Sequence, residues 1–469
     1  MEREPAGIPK GRLSRADSRG QLAGARAVNH SFVSSAALIA GLSAVTGVAM
    51  LARESLTASY FGRSDPIEAY LVAALIPMFL INATGNSIGA GFVPTLLRVR
   101  HDHDQQTASD LVAAMLLLAL GLVAVAMLAA AILFPFVLPL LARGFAPPKL
   151  DLALHVFYWL LPIVVIGALG KFWLAILNGY EHFVAGSLIP IAVPLTVIAC
   201  LLGAPAAGRL DYLIFGVVAG FTVQLALALL IAGRADLLRL PSLSDRIKPL
   251  LAKATSQYFS MLAGTLTLML LEVVDTIFAA MHGAGTVAAI NYASKLSLLV
   301  LGFAGAALAT AVVPHYARLR AGGPFAEQAR FVRFAEWITL AGAALLALFL
   351  VLLSTPLVQI VFGRGQFGAE DVTVVARLNA LYVLQAPAFL AGVVYGRLLL
   401  VEGHSRDLLS GAILSVACAV VANLILGPII HAAAIPVAAV IAYVASAAWL
   451  RTRLSAVLRA RKAGGPVSG

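Results

Sequence analysis

Seven ionisable side chains lie within strongly apolar stretches of this chain: Arg53, Glu54, Glu68, Lys171, Glu272, Asp275 and Lys295. A charge at a bilayer centre costs roughly 2.5–3.5 kcal/mol on insertion scales, so each is a functional candidate. Two kinds of chemistry use such groups. Cations in a dry cavity grip an anionic ligand, and Arg offers phosphate oxygens a two-pronged donor. Carboxylates hold cations, either those same side chains or a transported ion. Glu272 and Asp275 are three residues apart and share one face of a helix.

No other chemistry is signalled. Walker A and metal-ligand clusters are absent from the sequence, and the nine histidines are scattered through loops and segment ends. Cys200 and Cys418 each sit in an apolar run without neighbouring ligand residues and are read as small hydrophobes. The expectation is a transport protein and not an enzyme, with no cofactor and no metal.

The elements that carry the seven charges follow from composition. Of 469 residues, 61% are hydrophobic and 12% charged, and the mean hydropathy is +0.94. A soluble core cannot use that much apolar surface, whereas apolar runs of about 20 residues cross a bilayer core. The fold class is therefore all-α and polytopic. Breaks at polar, Gly or Pro clusters give twelve spans, at about 32–60, 66–97, 108–142, 151–178, 182–204, 209–232, 255–281, 286–316, 331–362, 372–401, 407–426 and 429–450.

The net charge of +11 sorts by side. On alternating loops and tails, 24 basic residues fall on one side and six on the other, with Arg53, Lys171 and Lys295 inside spans. The positive-inside rule then places both termini in the cytoplasm, and the basic loops face membrane lipid and not nucleic acid. By helix rise, Lys295 lies roughly 14 Å and Arg53 about 12 Å below the outer surface, while Lys171 is about 10 Å from the cytoplasmic end of its span. Arg53 and Lys295 are read as lining a cavity, with an ion pair to Glu54, Glu68 or Asp275 as the plainer alternative. Lys171 is read as snorkelling to the interface, and Glu68 is close enough to the surface to cap the start of span 2, its own helix.

The chain also repeats itself. Phe92-Val93-Pro94 and Val312-Val313-Pro314 are 220 residues apart, the Arg143-Gly144-Phe145 and Arg364-Gly365-Gln366-Phe367 turns about 221, and Tyr158 with Tyr382 and Gly179 with Gly403 are both 224 apart. At the same offset Glu54 pairs with Asp275. Six spans separate the copies, so they share one orientation and are related by an axis along the membrane normal. The expected architecture is two parallel six-helix repeats around a central cavity. Residues 1–30 form a disordered basic tail, 31–232 the first lobe, 233–254 a basic cytoplasmic linker, 255–455 the second lobe and 456–469 a cytoplasmic tail.

Particular strings resemble a known family. Ala52-Arg53-Glu54, Phe61-Gly62, Glu68-Ala69-Tyr70, Ile76-Pro77 and Gly85 through Phe92-Val93-Pro94 are similar to the opening signature of the MviN/MurJ lipid flippases, and Asn291-Tyr292-Ala293-Ser294-Lys295-Leu296 to that family's Tyr-Ala-Asp-Arg-Leu element. The resemblance implies the multidrug/oligosaccharidyl-lipid/polysaccharide exporter fold. It also implies an undecaprenyl-diphosphate-linked saccharide, turned from the inner to the outer leaflet of the bacterial inner membrane by alternating access. Family cavity cations map onto Arg53 and Lys295, and acids onto Glu54 and Glu68. An arginine expected early in span 1 falls near Gly47 and an arginine pair near Leu80 and Ile81, and two extra C-terminal helices usual in the family are missing.

The substrate expected is thus lipid II or an exopolysaccharide repeat unit, bound through its diphosphate by Arg53 and Lys295. Glu54, Glu68, Glu272 and Asp275 pair with those cations or couple transport to an ion or the membrane potential, and the protein is expected to act as a monomer. The alternative is a cation-coupled multidrug antiporter on the same fold, with Glu272 and Asp275 as its binding acids.

Overall fold

The computed structural model describes residues 41–205, 208–238 and 247–462. The expected tail 1–30, residues 239–246 of the expected linker and residues 463–469 lie outside the described residues. Every regular element among the described residues is helical, as lipid requires, because a helix satisfies its own backbone groups where water cannot.

The elements run α1 (41–61), α2 (Asp65–Ser87), a π turn (Ile88–Phe92), α3 (Val93–Asp102), α4 (Gln105–Leu141), α5 (Pro147–Leu160), α6 (Ile163–Gly179), α7 (Phe183–Leu188), α8 (Ala192–Leu202) and α9 (Arg209–Arg234). The second half holds α10 (Ile247–Ala280), α11 (Thr286–Gly322), α12 (Phe325–Leu352), α13 (Ser354–Phe362), α14 (Ala369–Val383), α15 (Ala386–Glu402), α16 (Ser405–Ile430) and α17 (Ala434–Lys462). Sequence sets the boundaries. Proline stands in the first turn of α2, α5 and α15, where its missing N–H costs little. Asp104 caps α4 by accepting from the Thr107 N–H at 2.8 Å.

Eight helical stretches are long and apolar enough to cross a membrane, and two bent pairs add two more. One of the eight, residues 405–462, doubles back at His431: Arg453 on α17 bonds Asp407 on α16 at 2.7 Å, and Trp449 bonds Ser410 at 2.9 Å. With α1, this is consistent with twelve crossings. Phe136, Trp337 and Leu352 are at least 70% exposed on outer helix faces, an arrangement that suits hydrocarbon and not water.

The two halves match in detail. The bent pairs are α5–α6 (45°) and α14–α15 (41°), the fourth span of each half. Gly62 and Gly283 both turn the chain at positive φ, 53° and 97°, between the first and second helices. Gly365 packs on the Ser59 carbonyl at the end of α1, and Gly144 on the Ala280 carbonyl at the end of α10. Both members of each contact stand 221 residues from their counterparts, so each half lays its third-span loop on the first helix of the other. This crossed contact is what a two-fold relation along the membrane normal produces.

Between the halves runs α10, packed along α2, α4 and the π turn on one side and α16 on the other. Gly91 allows the approach, since a Cβ there would lie 2.9 Å from the Gln257 carbonyl. The helix begins at Ile247, so the last part of the 233–254 segment is already helical, as is 456–462 within α17.

Candidate functional site

Where the halves face each other they enclose a cavity of about 540 Å³. Its walls come from both ends of the sequence, and Arg53, Glu54, Lys171, Glu272, Asp275 and Lys295 all line it. Of the seven charges singled out in the sequence, Glu68 alone lies elsewhere.

Arg53 and Glu54 are consecutive on α1, and the Arg53 guanidinium bonds the Glu54 carboxylate. From α11, the Lys295 ammonium donates to the same Glu54 Oε1 at 3.0 Å. Two cations from opposite halves therefore share one carboxylate, leaving one unit of positive charge. Their side chains keep 20% (Arg53) and 37% (Lys295) exposure against 11% for Glu54, so the cations and not the acid are the groups a ligand meets.

On α10, Asp275 accepts from the Tyr382 hydroxyl at 2.9 Å, and Glu272 stands one turn away. No ion pair joins either acid to a cation among the described residues. Lys171 on α6 lines the cavity, whereas its position near a span end reads as snorkelling. The difference comes from packing: its aliphatic stem lies against Gly85 of α2, where a Cβ would stand 2.6 Å from the Lys171 Cβ. With Lys171 included, the cavity carries three cations and three acids, and is not simply cationic.

Sequence reasoning did not point to the neutral polar lining: Asn82, Gln224, Asn291, Tyr70 and Tyr443. Gln224 Nε2 and Asn291 Oδ1 are buried without a hydrogen-bond partner, an arrangement that costs free energy unless a ligand or water completes it. A lone Gln or Asn in an apolar run was the available signal, weaker than a charge. Tyr382 was visible as a repeat position, but its counterpart Tyr158 is 44% exposed and bonds the Ala131 carbonyl.

Glu68 is fully buried outside the cavity. It accepts from Lys149 Nζ at 2.5 Å and from the Gly285 and Ala288 N–H groups at 2.8 and 3.2 Å. It thus caps α11 of the other half, where a carboxylate suits the positive end of the helix. Nearby, Arg63 Nε bonds Asp371 at 2.5 Å, the Gln366 N–H bonds the Ser59 carbonyl at 2.8 Å and the Tyr292 hydroxyl bonds the Gly62 carbonyl at 3.3 Å. These contacts close the end of the cavity that bears Arg63. Among the described residues no three His, Cys, Asp or Glu side chains group as metal ligands.

Comparison with known proteins agrees with this geometry. The sequence model of the family described as lipid II flippase MurJ matches residues 57–464. Curated relatives include a "Probable lipid II flippase MurJ" of Rhizobium meliloti, 28% identical over 72% of this chain and 64% of that protein. A "Lipid II flippase MurJ" of Burkholderia cenocepacia is 29% identical over 73% of this chain and 68% of that one. The chain thus spans about two thirds of these relatives' length. Among solved structures, a lipid II flippase MurJ in an inward closed conformation matches with a TM-score of 0.74 at 17% identity, covering 92% of this chain and 94% of that one. An inward-facing multidrug resistance MATE family transporter of the MOP superfamily matches at 0.67 and 15% identity, covering 88% and 95%. At these identities the structural matches establish the fold alone.

Proposed function

The chain belongs to the MurJ family of lipid II flippases, and from that premise we propose that it turns a lipid-linked saccharide diphosphate, lipid II foremost, from the inner to the outer leaflet of the bacterial inner membrane. The observation that carries this reading is the meeting of Arg53 and Lys295, from opposite halves, on the single carboxylate of Glu54. A diphosphate bound there takes over the two cations, each able to give it charge-assisted hydrogen bonds. Because the cations belong to different lobes, the ligand bridges the halves as Glu54 does without it.

The same arrangement supports alternating access. The contacts of Glu68, Arg63 and Ser59 close the Arg63 end, which the distribution of basic residues assigns to the outside, with both termini cytoplasmic. Substrate then enters from the cytoplasm, and rocking of the two lobes breaks those contacts to release it outward. Glu272 and Asp275 stand apart from the cation pair and are the residues proposed to couple this motion to an ion or to the membrane potential. The functional unit is proposed to be one chain.

An exopolysaccharide carrier presents the same diphosphate, so the cation pair alone does not select the sugar. Membership of the MurJ family favours lipid II and favours a flippase over a multidrug antiporter. Complementation tests both points: expression of this chain is expected to restore growth to a strain depleted of its lipid II flippase. Failure to do so, with export of a polysaccharide instead restored in a mutant lacking that export, would reassign the substrate.

A further inference from the structure

The three cavity cations are not equivalent. Arg53 and Lys295 share Glu54, but no carboxylate lies within ion-pair distance of Lys171 among the described residues. Leaving an ammonium out of water without a counter-ion is expensive, by several kcal/mol in real proteins, and the usual escape for a lysine near a span end is to reach for the interface. Packing holds Lys171 otherwise, with its stem over Gly85 and its head on the cavity.

Beside it, Gln224 of α9 is 2% exposed, lines the same cavity and has an amide nitrogen without a partner. It packs against Gly170, the residue before Lys171. A cation without a carboxylate partner and an amide nitrogen without an acceptor thus line one cavity from two packed helices, α6 and α9, as a pole of hydrogen-bond donors. Lys171 stands eight residues from Gly179, where α6 ends away from Arg63, so this pole lies farther from the closed Arg63 end than the Arg53–Lys295 pair does.

We propose that Lys171 and Gln224 form a second oxyanion-binding position in the cavity, contributed by the first lobe alone and met by the substrate before the Arg53–Lys295 pair. This rests on the flippase reading. The chemistry required is a phosphate or carboxylate oxygen, and lipid II offers both, in its diphosphate and in the acids of its peptide. The position gives the entering headgroup a partner while Glu54 still occupies the other two cations.

The test uses the full chain in lipid nanodiscs, with affinity measured for lipid II and for undecaprenyl diphosphate, which lacks sugar and peptide. Lys171→Met is expected to weaken binding about tenfold or more, the loss of one charge-assisted contact, while Lys171→Arg stays within about threefold of the unmodified chain. Gln224→Leu is expected to weaken the same lipid or lipids by a smaller factor. Loss for both lipids identifies the diphosphate as the bound group, and loss for lipid II alone identifies a peptide carboxylate. Because Lys171→Met removes a cavity charge that has no counter-ion, its melting temperature is expected to equal or exceed that of the unmodified chain. Unchanged affinity of Lys171→Met and Gln224→Leu for both lipids would overturn the proposal. If the unmodified chain binds neither lipid, it is the flippase reading that fails.

Discussion

Lys295 on α11 and Arg53 on α1, drawn from opposite halves of the chain, both bond the one carboxylate of Glu54. The pairing holds the lobes together and cancels only half of the charge there. A ligand with two acidic groups offers these cations more charge-assisted hydrogen bonds than a single carboxylate does. We propose that Glu54 is a stand-in that substrate displaces.

That role gives a first prediction. Glu54→Gln removes the competing charge while keeping the shape of the side chain. Affinity for lipid II is expected to rise several-fold and turnover to fall, because the lobes lose the contact that resets the empty carrier. Binding and single-turnover transport, measured on the same preparation, separate the two effects. A variant weakened in binding would show that Glu54 positions the cations and does not compete for them.

A second prediction concerns the closed end. Lys149→Met leaves the fully buried Glu68 with its helix-cap bonds but no cation, and breaking one side of a buried pair costs about 3–5 kcal/mol. Thermal unfolding should drop by several degrees. Cysteines placed at Asn291 should become more accessible to reagents added from outside. Arg63→Ala, whose pair with Asp371 is only partly buried, is expected to do less to stability.

The crossed glycine loops supply a third. Gly365 has φ of 61° and lies directly on the Ser59 carbonyl, so Gly365→Val introduces both backbone strain and a clash. Gly368, three residues on, has open space around it. Transport is expected to be lost in Gly365→Val and kept in Gly368→Ala, with Gly144→Val repeating the loss on the other side of the repeat.

The fourth addresses coupling. Asp275→Asn keeps a hydrogen bond to Tyr382 but removes the charge from α10. If Asp275 carries the coupled ion, lipid II binding persists while the transport rate no longer responds to an imposed ion gradient or membrane potential. A variant that still responds would move the coupling role to Glu272 or elsewhere.

Much of this could be read from residues. Hydropathy marked the crossings because lipid leaves the backbone no alternative to helix, and the offset of 221 exposed the repeat because turn glycines such as Gly144 and Gly365 answer to backbone geometry. Six of the seven intramembrane charges line the cavity, since a charge in an apolar run has few other stable places. What depended on three dimensions was less legible. Glu68 caps a helix more than 200 residues away, a contact with no local signature. Lys171 faces the cavity because Gly85 on another helix leaves space for its stem. Gln224 carries no charge to draw notice, and its significance lies in an amide without a partner.

We propose that Arg53 and Lys295 together hold the diphosphate of the transported lipid. This is tested most directly by translocation of fluorescently labelled lipid II in proteoliposomes, comparing the unmodified chain with the Arg53→Ala/Lys295→Ala double variant at matched protein density. Transport is expected from the unmodified chain, with a fall to the level of protein-free vesicles in the double variant and a melting temperature kept within a few degrees. Undiminished transport by the double variant would contradict it.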